Sequence, residues 1–233
     1  MSYVFYWGDK PQNFGDVLTR NILEYFGIDF QHTNKQKDAN MFATGSIARL
    51  AKPGDTVLGS GMIRKGEKAN PEAIWRSVRG PLTRDNVIRC GGECPEIYGD
   101  PALMLPLFCG ESEKKHKIGI VPHYQDYNKI NKKYGNKFKV INLVNTDPLS
   151  VAREITSCEK IISSSLHGII CAHAYGIPAA RVRFSKLHGD DSKFADYYAS
   201  VDTKHEKSTI DSPKYTVGNI PDLQPLINIY KSL

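Results

Sequence analysis

The segment Ser163-Ser164-Ser165-Leu166-His167-Gly168 sets three hydroxyls and an imidazole between an apolar run, Lys160–Ser163, and a small-residue helical pattern that stops at Gly176 and Pro178. Such an order predicts a buried strand, a polar turn, and a helix whose N-terminus opens into the turn. Backbone N–H groups at a helix start have no partner within the helix and carry the positive end of its dipole, so they favour an anion. Imidazole exchanges protons near neutral pH. The turn is therefore expected to bind an anion through Ser163, Ser164 and Ser165, with His167 beside it as an acid–base group.

Three further clusters share that kind of placement. In Val78-Arg79-Gly80-Pro81 an arginine emerges at the carboxyl edge of a predicted strand, where its fork of donors can hold a carboxylate or phosphate. Val121-Pro122-His123-Tyr124 repeats the geometry and offers His123 for ligand contact. Asn13-Phe14-Gly15-Asp16 lies between a predicted first strand and first helix. There Asp16 either caps the helix or joins Asn13 in facing a ligand and binding sugar hydroxyls. Gly59-Ser60-Gly61 permits close backbone approach but lacks the rest of a dinucleotide fingerprint. Asp100, in Tyr98-Gly99-Asp100-Pro101, is expected to fix a turn. His173 reads as structural, and His32, His116, His188 and His205 have no comparable setting.

The elements that must position these groups alternate. Strand-like runs fall at Tyr3–Trp7, Met41–Thr44, Thr56–Gly59, Ile74–Val78, Lys117–Val121, Phe138–Leu143, Lys160–Ser163 and Ala179–Phe184. Helical stretches lie between them, among them Leu18 to Phe26 and Pro148–Cys158. The alternation predicts an α/β fold with largely parallel strands. A charged segment without apolar periodicity, 110–117, reads as a linker between two Rossmann-like domains, 1–109 and 118–220, that face a cleft. The stretch 221–233 reads as a helix packing back across the seam.

With 40% hydrophobic and 24% charged residues, the chain has ordinary globular composition. No run reaches the roughly 18–20 apolar residues of a membrane span, and the N-terminus reads as a first strand, not a signal peptide. The five cysteines lack a second close pair for zinc and are expected as reduced thiols of a cytoplasmic protein. Net charge is +6, which suits an anionic small molecule, an anionic membrane surface or nucleic acid; the basic runs Lys114–Lys117 and Lys129–Lys139 lack the aromatic interleaving of a nucleic-acid surface. No metal ligand cluster stands out, and the oligomeric state is left open.

Taken together, seven segments resemble the polysaccharide pyruvyl transferase family. They are Asn13–Asp16, Gly59–Gly61, Val78–Thr83, Tyr98–Leu103, Pro122–Tyr124, Ser163–Gly168 with Gly176–Pro178, and Phe194–Tyr198, in family order from about residue 6 to about residue 200. The resemblance implies a two-domain fold similar to B-type glycosyltransferases. It also implies transfer of a pyruvyl group from phosphoenolpyruvate, a donor substrate and not a cofactor, to two hydroxyls of a sugar, giving a cyclic ketal. The acceptor so implied is an intermediate of capsule, exopolysaccharide or cell-wall synthesis, often lipid-linked, with at most peripheral contact at the inner membrane face. His167 is then the principal acid–base residue, Arg79 and the Ser163–Ser165 turn hold the donor, and His123 and Asp16 serve acceptor binding or proton transfer. Many members carry Arg before the Leu-His, where this chain has Ser165; Arg181, Arg183 and Lys186 are the candidates to supply that charge. Two rival readings are a nucleotide-sugar glycosyltransferase and a non-catalytic protein that keeps the cleft.

Overall fold

A computed structural model describes residues 2–8, 12–186 and 189–233; His188 lies outside them. The first sheet is built from β1 (Ser2–Phe5), β2 (Phe30–Thr33), β3 (Met41–Phe42), β4 (Thr56–Leu58) and β5 (Ile74–Ser77). Its helices are α1 (Phe14–Tyr25) and α2 (Pro81–Arg89). The second sheet holds β6 (His116–Val121), β7 (Lys139–Val140), β8 (Cys158–Ser163), β9 (Ala179–Arg181) and β10 (Tyr215–Thr216). Around it lie α3 (Tyr127–Tyr134), α4 (Pro148–Thr156), α5 (Leu166–Ala174), α6 (Ser192–Ser200) and the C-terminal α7 (Gln224–Lys231).

The sheets run β2-β1-β3-β4-β5 and β10-β9-β8-β6-β7. Numbered within each sheet, both give the order 2-1-3-4-5, so one doubly wound plan occurs twice. All pairings are parallel except that of β10 with β9. Two strands escaped the sequence reading. β2 lies at a sheet edge with Gln31 and His32 exposed, so it carries no apolar run. β10 is a two-residue edge strand. The predicted runs at Met41–Thr44, Phe138–Leu143 and Ala179–Phe184 pair over only two or three residues each.

A single apolar cluster belongs to both sheets. It takes Phe14, Leu18 and Ile22 from α1, Leu103 and Met104 from a 3-10 turn, Val151 and Ile155 from α4, Ile169 and Ile170 from α5, Tyr197 from α6, and Tyr230 from α7. α5 is buried at every position from Leu166 to His173, as expected of a helix that is apolar all round. Each sheet covers a smaller cluster of its own, around Phe42, Val57 and Trp75 in one and Ile120, Ile162 and Val182 in the other. Main-chain contacts also cross between the halves: Phe14 N–H donates to the Leu143 carbonyl at 2.7 Å, and Asn13 bridges Val144. The α7 residue Tyr230 donates its hydroxyl to the Leu58 carbonyl at 3.0 Å.

Candidate active site

In doubly wound sheets the loops on either side of the reversal in strand order leave a crevice at the strands' carboxyl ends. Here the reversals fall between β1 and β3 and between β6 and β8. The loop after β1 carries Asn13–Asp16. The loop after β6 carries His123, and the one after β8 carries Ser163–His167. The two crevices meet. A Cβ built on Gly15 would lie 1.8 Å from Nδ1 of His167, so a glycine is what lets the start of α1 reach the imidazole at the start of α5.

The three-hydroxyl turn divides its labour. Ser163 Oγ accepts the Ser165 N–H at 3.0 Å and lies 2.8 Å from the Val121 carbonyl to which it donates. Ser164 Oγ accepts the His123 N–H at 2.8 Å. Both serines are fully buried, and these bonds engage their hydroxyls in holding the turn together. Ser165 is the N-cap residue of α5, and its side chain makes no capping bond. Its hydroxyl and the first N–H groups of α5 are what the turn presents to an anion.

His167 is 8% exposed. Its Nε2 lies 3.5 Å from Oδ2 of the fully buried Asp100, and neither atom has a hydrogen-bond partner among the described residues. The other oxygen of Asp100 accepts the Ala102 N–H at 3.0 Å. Asp100 thus fixes the turn expected of it, and it also presents a carboxylate oxygen to the imidazole. Buried polar atoms normally find partners, so an Nε2–H directed at Asp100 is the arrangement that satisfies both and leaves Nδ1 toward Gly15. Sequence spacing gave no hint of this pairing, because 67 positions separate the two residues.

On the facing side, Asn13 and not Asp16 is the N-cap of α1; Asp16 sits in the first turn and its Oδ2 accepts a hydrogen bond from Asn13 Nδ2 at 2.9 Å. Burial raises the Asp16 carboxyl pKa, opposed by that hydrogen bond and by the charges of His167 and Lys193. Lys193, in the first turn of α6, was not singled out from the sequence, although it directly precedes the Phe194–Tyr198 segment. The start of α1, with Asn13 and Asp16, and the start of α5, with Ser165 and His167, meet at this point.

Arg79 is placed differently from the expectation. Its side chain is fully buried and turned onto α6, with Nε and Nη2 at 3.0 and 2.9 Å from Asp196 Oδ2. Its remaining contacts are Nη1 to Ser46 Oγ and Nη2 to the Met62 carbonyl, both 2.7 Å. Asp196 also accepts the Thr83 N–H and hydroxyl, at 2.9 and 2.7 Å. The fork expected to grip a ligand is spent on tying the first half to α6. Beyond β9, Arg183 and Lys186 are exposed, while Arg181 is buried against Asp191 and lies 2.7 Å from His205 Nε2. His205 therefore has a setting that the sequence did not reveal; burial and the Arg181 charge push its pKa down to about 4. His173 is structural as expected, lying 3.0 Å from the Tyr197 hydroxyl and 3.1 Å from the Thr216 carbonyl, with burial lowering its pKa to about 4. A cavity of about 970 Å³ opens beside the Arg79–Asp196 tie, lined by Met62, Leu82, Ala195 and Lys207 among others, but by neither Asp16 nor His167.

A model of the polysaccharide pyruvyl transferase family matches residues 8–184, most of the chain and all of the loops just described except α6. The chain belongs to the polysaccharide pyruvyl transferase family. Among characterised and uncharacterised relatives, the chain is similar to the succinoglycan biosynthesis protein ExoV of Rhizobium meliloti (strain 1021), with 31% identity over 78% of this chain and 59% of that protein. It is also similar to an uncharacterised protein of Acanthamoeba polyphaga mimivirus, with 34% identity over 66% of this chain and 57% of that one. The chain thus spans under three fifths of the length of these family relatives. No solved structure matches it, so the comparison with B-type glycosyltransferases stays at the level of two parallel-dominated sheets. Among the described residues, no helix of this pyruvyl transferase family member is long and apolar enough to cross a membrane.

Proposed function

We propose that the protein transfers a pyruvyl group from phosphoenolpyruvate to two hydroxyls of a sugar in a polysaccharide precursor, forming a cyclic ketal and releasing phosphate. Family membership supports the reading, and one observation carries it to the residues: an imidazole at an anion-accepting helix start, backed by a buried carboxylate and faced by Asp16 across the junction of the two sheets. The phosphate of the donor sits at the start of α5 on the Ser165 hydroxyl and the free N–H groups. His167, entering the step with a proton on each nitrogen, gives the one on Nδ1 to the methylene carbon, which becomes the methyl group and leaves an oxocarbenium-like centre at C2. Asp16, made more basic by burial, takes the proton of the first sugar hydroxyl as its oxygen bonds to C2. The second hydroxyl oxygen then bonds to C2 as the C–O bond to phosphate breaks, and its proton leaves with the phosphate. The proton on Asp16 returns to His167 through solvent. Net, one hydroxyl proton ends in the methyl group and one in inorganic phosphate.

The direct test incubates the protein with phosphoenolpyruvate and sugar acceptors bearing neighbouring free hydroxyls, and follows phosphate together with the ketal methyl signal by NMR. Acceptor-dependent phosphate release with a new methyl singlet is the expected result. Stabilisation of the protein against heat by nucleotide sugars, with none by phosphoenolpyruvate, would overturn the reading in favour of a glycosyltransferase.

Gly15→Ala tests the junction itself. The added methyl group cannot fit 1.8 Å from Nδ1, so the His167 ring must shift from its place against the start of α1. Misplacement of a catalytic group by about 1 Å costs on the order of a hundredfold in rate. The variant is expected to keep its fold by circular dichroism while turnover falls by about that factor. Unchanged turnover would show that the contact has no part in catalysis.

A further inference from the structure

We infer that the cavity of about 970 Å³ beside α2 and α6 is a second ligand site, one that takes a phosphate monoester with an apolar body. It stands apart from the pyruvyl-transfer reading, since neither Asp16 nor His167 lines it. Its volume falls within the roughly 300–1,000 Å³ of small-molecule sites, which set a few polar groups in a mostly apolar wall. Both halves build it. Met62, Leu82 and Asn86 come from the first, Ala195 and Lys207 from the second. The rim is tied where the halves meet: Asp190 Oδ2 accepts the Lys65 N–H at 3.0 Å, and a Cβ on Gly189 would lie 2.8 Å from the Ile63 carbonyl oxygen. Leu82, a large apolar residue of this wall, is 45% exposed.

The charges around the cavity are unevenly committed. Asp196 is engaged by Arg79 and Thr83, and Asp191 by Arg181 and Lys207. Asp190 also accepts the Ser192 N–H, through Oδ1 at 2.9 Å. By contrast, the side chains of Arg64, Lys65 and Arg89 line the cavity and make no ion pair or hydrogen bond among the described residues. Asp85, four positions before Arg89, is the remaining carboxylate of the lining. Asn86 is 7% exposed, and its Oδ1 accepts the Cys90 thiol at 3.6 Å. Its Nδ2 donates no hydrogen bond among the described residues, although a buried amide normally finds a partner.

These groups describe an occupant. Uncommitted cations at the rim suit a phosphate, whose oxygens match the arginine fork and carry up to two charges. Met62, Leu82 and Ala195 offer no partner to a hydroxyl-rich molecule, but they give an apolar body a surface that gains by leaving water. Asn86 keeps an N–H for an oxygen of the ligand. Inorganic phosphate would leave the apolar wall wet, and an uncharged ring would leave the cations unpaired. Each alone should therefore bind more weakly than a molecule with both parts. A ligand held by the folded chain alone should also raise Tm.

The probe is naphthyl phosphate, titrated into the intact protein by calorimetry beside its two parts, inorganic phosphate and naphthol. Saturable binding is expected, with each part weaker by about tenfold or more, and added salt should weaken it by screening the rim cations. Reversing a charge in Arg64→Glu or Arg89→Glu should weaken binding by about 10- to 100-fold. Leu82→Asp, which removes apolar wall and adds a repelling carboxylate, should act in the same direction. All three positions are exposed, and thermal unfolding without ligand establishes that each variant folds. No saturable binding of naphthyl phosphate to the wild type would overturn the site. Binding unchanged in all three variants would place the probe elsewhere and overturn it too. Inorganic phosphate bound as tightly as naphthyl phosphate would overturn the apolar body. Turnover of phosphoenolpyruvate is measured separately, so none of these results bears on the pyruvyl-transfer reading.

Discussion

Replacing His167 by Gln is expected to lower phosphate release from phosphoenolpyruvate, with acceptor present, by about 10²–10⁴-fold, the usual worth of a positioned general acid or base. Gln keeps polarity and nearly the volume of imidazole but holds no exchangeable proton near neutral pH. The Tm should hold, because an amide N–H of Gln can still be directed at Asp100 in place of Nε2–H. A companion variant separates orientation from proton transfer. Asp100→Asn keeps an oxygen for the Ala102 N–H, which Oδ1 now accepts at 3.0 Å, yet it removes the charge 3.5 Å from Nε2. With an amide in that place the imidazole is no longer held with its proton on Nε2, as happens when a histidine's carboxylate partner becomes an amide. The expected result is a fall in kcat with little change in KM and an altered pH–rate profile. Near-normal turnover in His167→Gln would remove the histidine from the mechanism, and an unaltered profile in Asp100→Asn would reduce Asp100 to its turn.

The second large effect falls on stability. Arg79→Ala would leave the buried Asp196 with only Thr83 for company and strip Ser46 and the Met62 carbonyl of their donor. Breaking a buried ion pair from one side typically costs about 3–5 kcal/mol. For a chain of this size each kcal/mol shifts Tm by roughly 2–4 °C. A fall of about 6–20 °C is expected in a thermal scan, and activity measured below the new midpoint should survive better than it does in His167→Gln. An arginine that gripped the donor would behave in the opposite way, with Tm unmoved and KM for phosphoenolpyruvate raised. Replacing both partners, as in Arg79→Met with Asp196→Leu, should recover part of the lost stability, since no lone charge is then buried.

The contrast between His167 and Arg79 shows which part of the site could be read without coordinates. His167 was legible because its setting is local: strand, hydroxyls, imidazole and helix start lie within a dozen residues, and secondary structure alone aims them. Arg79 looked the same by that rule, at a strand's carboxyl edge with Gly-Pro behind it. Its partner lies 117 positions away on α6, and nothing in the spacing announces it. Asp100 was hidden for the same reason. Its approach to His167 joins a turn of the first half to a helix start of the second, which periodicity does not encode. The serines illustrate a third case. Three hydroxyls in a row signal a polar turn, but which of them is used up in holding that turn depends on the main chain of β6, the neighbouring strand. At the level of fold, the alternation of elements predicted the parallel strands well, while β2 and β10, edge strands whose pairing comes from the sheet and not from their own composition, left little trace.

The apolar cluster shared by the two sheets bears on how such a protein can change its substrate. Enzymes whose halves are separate modules can acquire a new acceptor by exchanging one half for another. Here α1, α4, α5 and α7 fill one interior together, Gly15 is fitted to a ring of the other half, and Arg79 is locked to Asp196. Each half buries part of its apolar surface against the other. A change in what the junction binds is then expected to run through the loops that rim it, with both halves changing in concert beneath them.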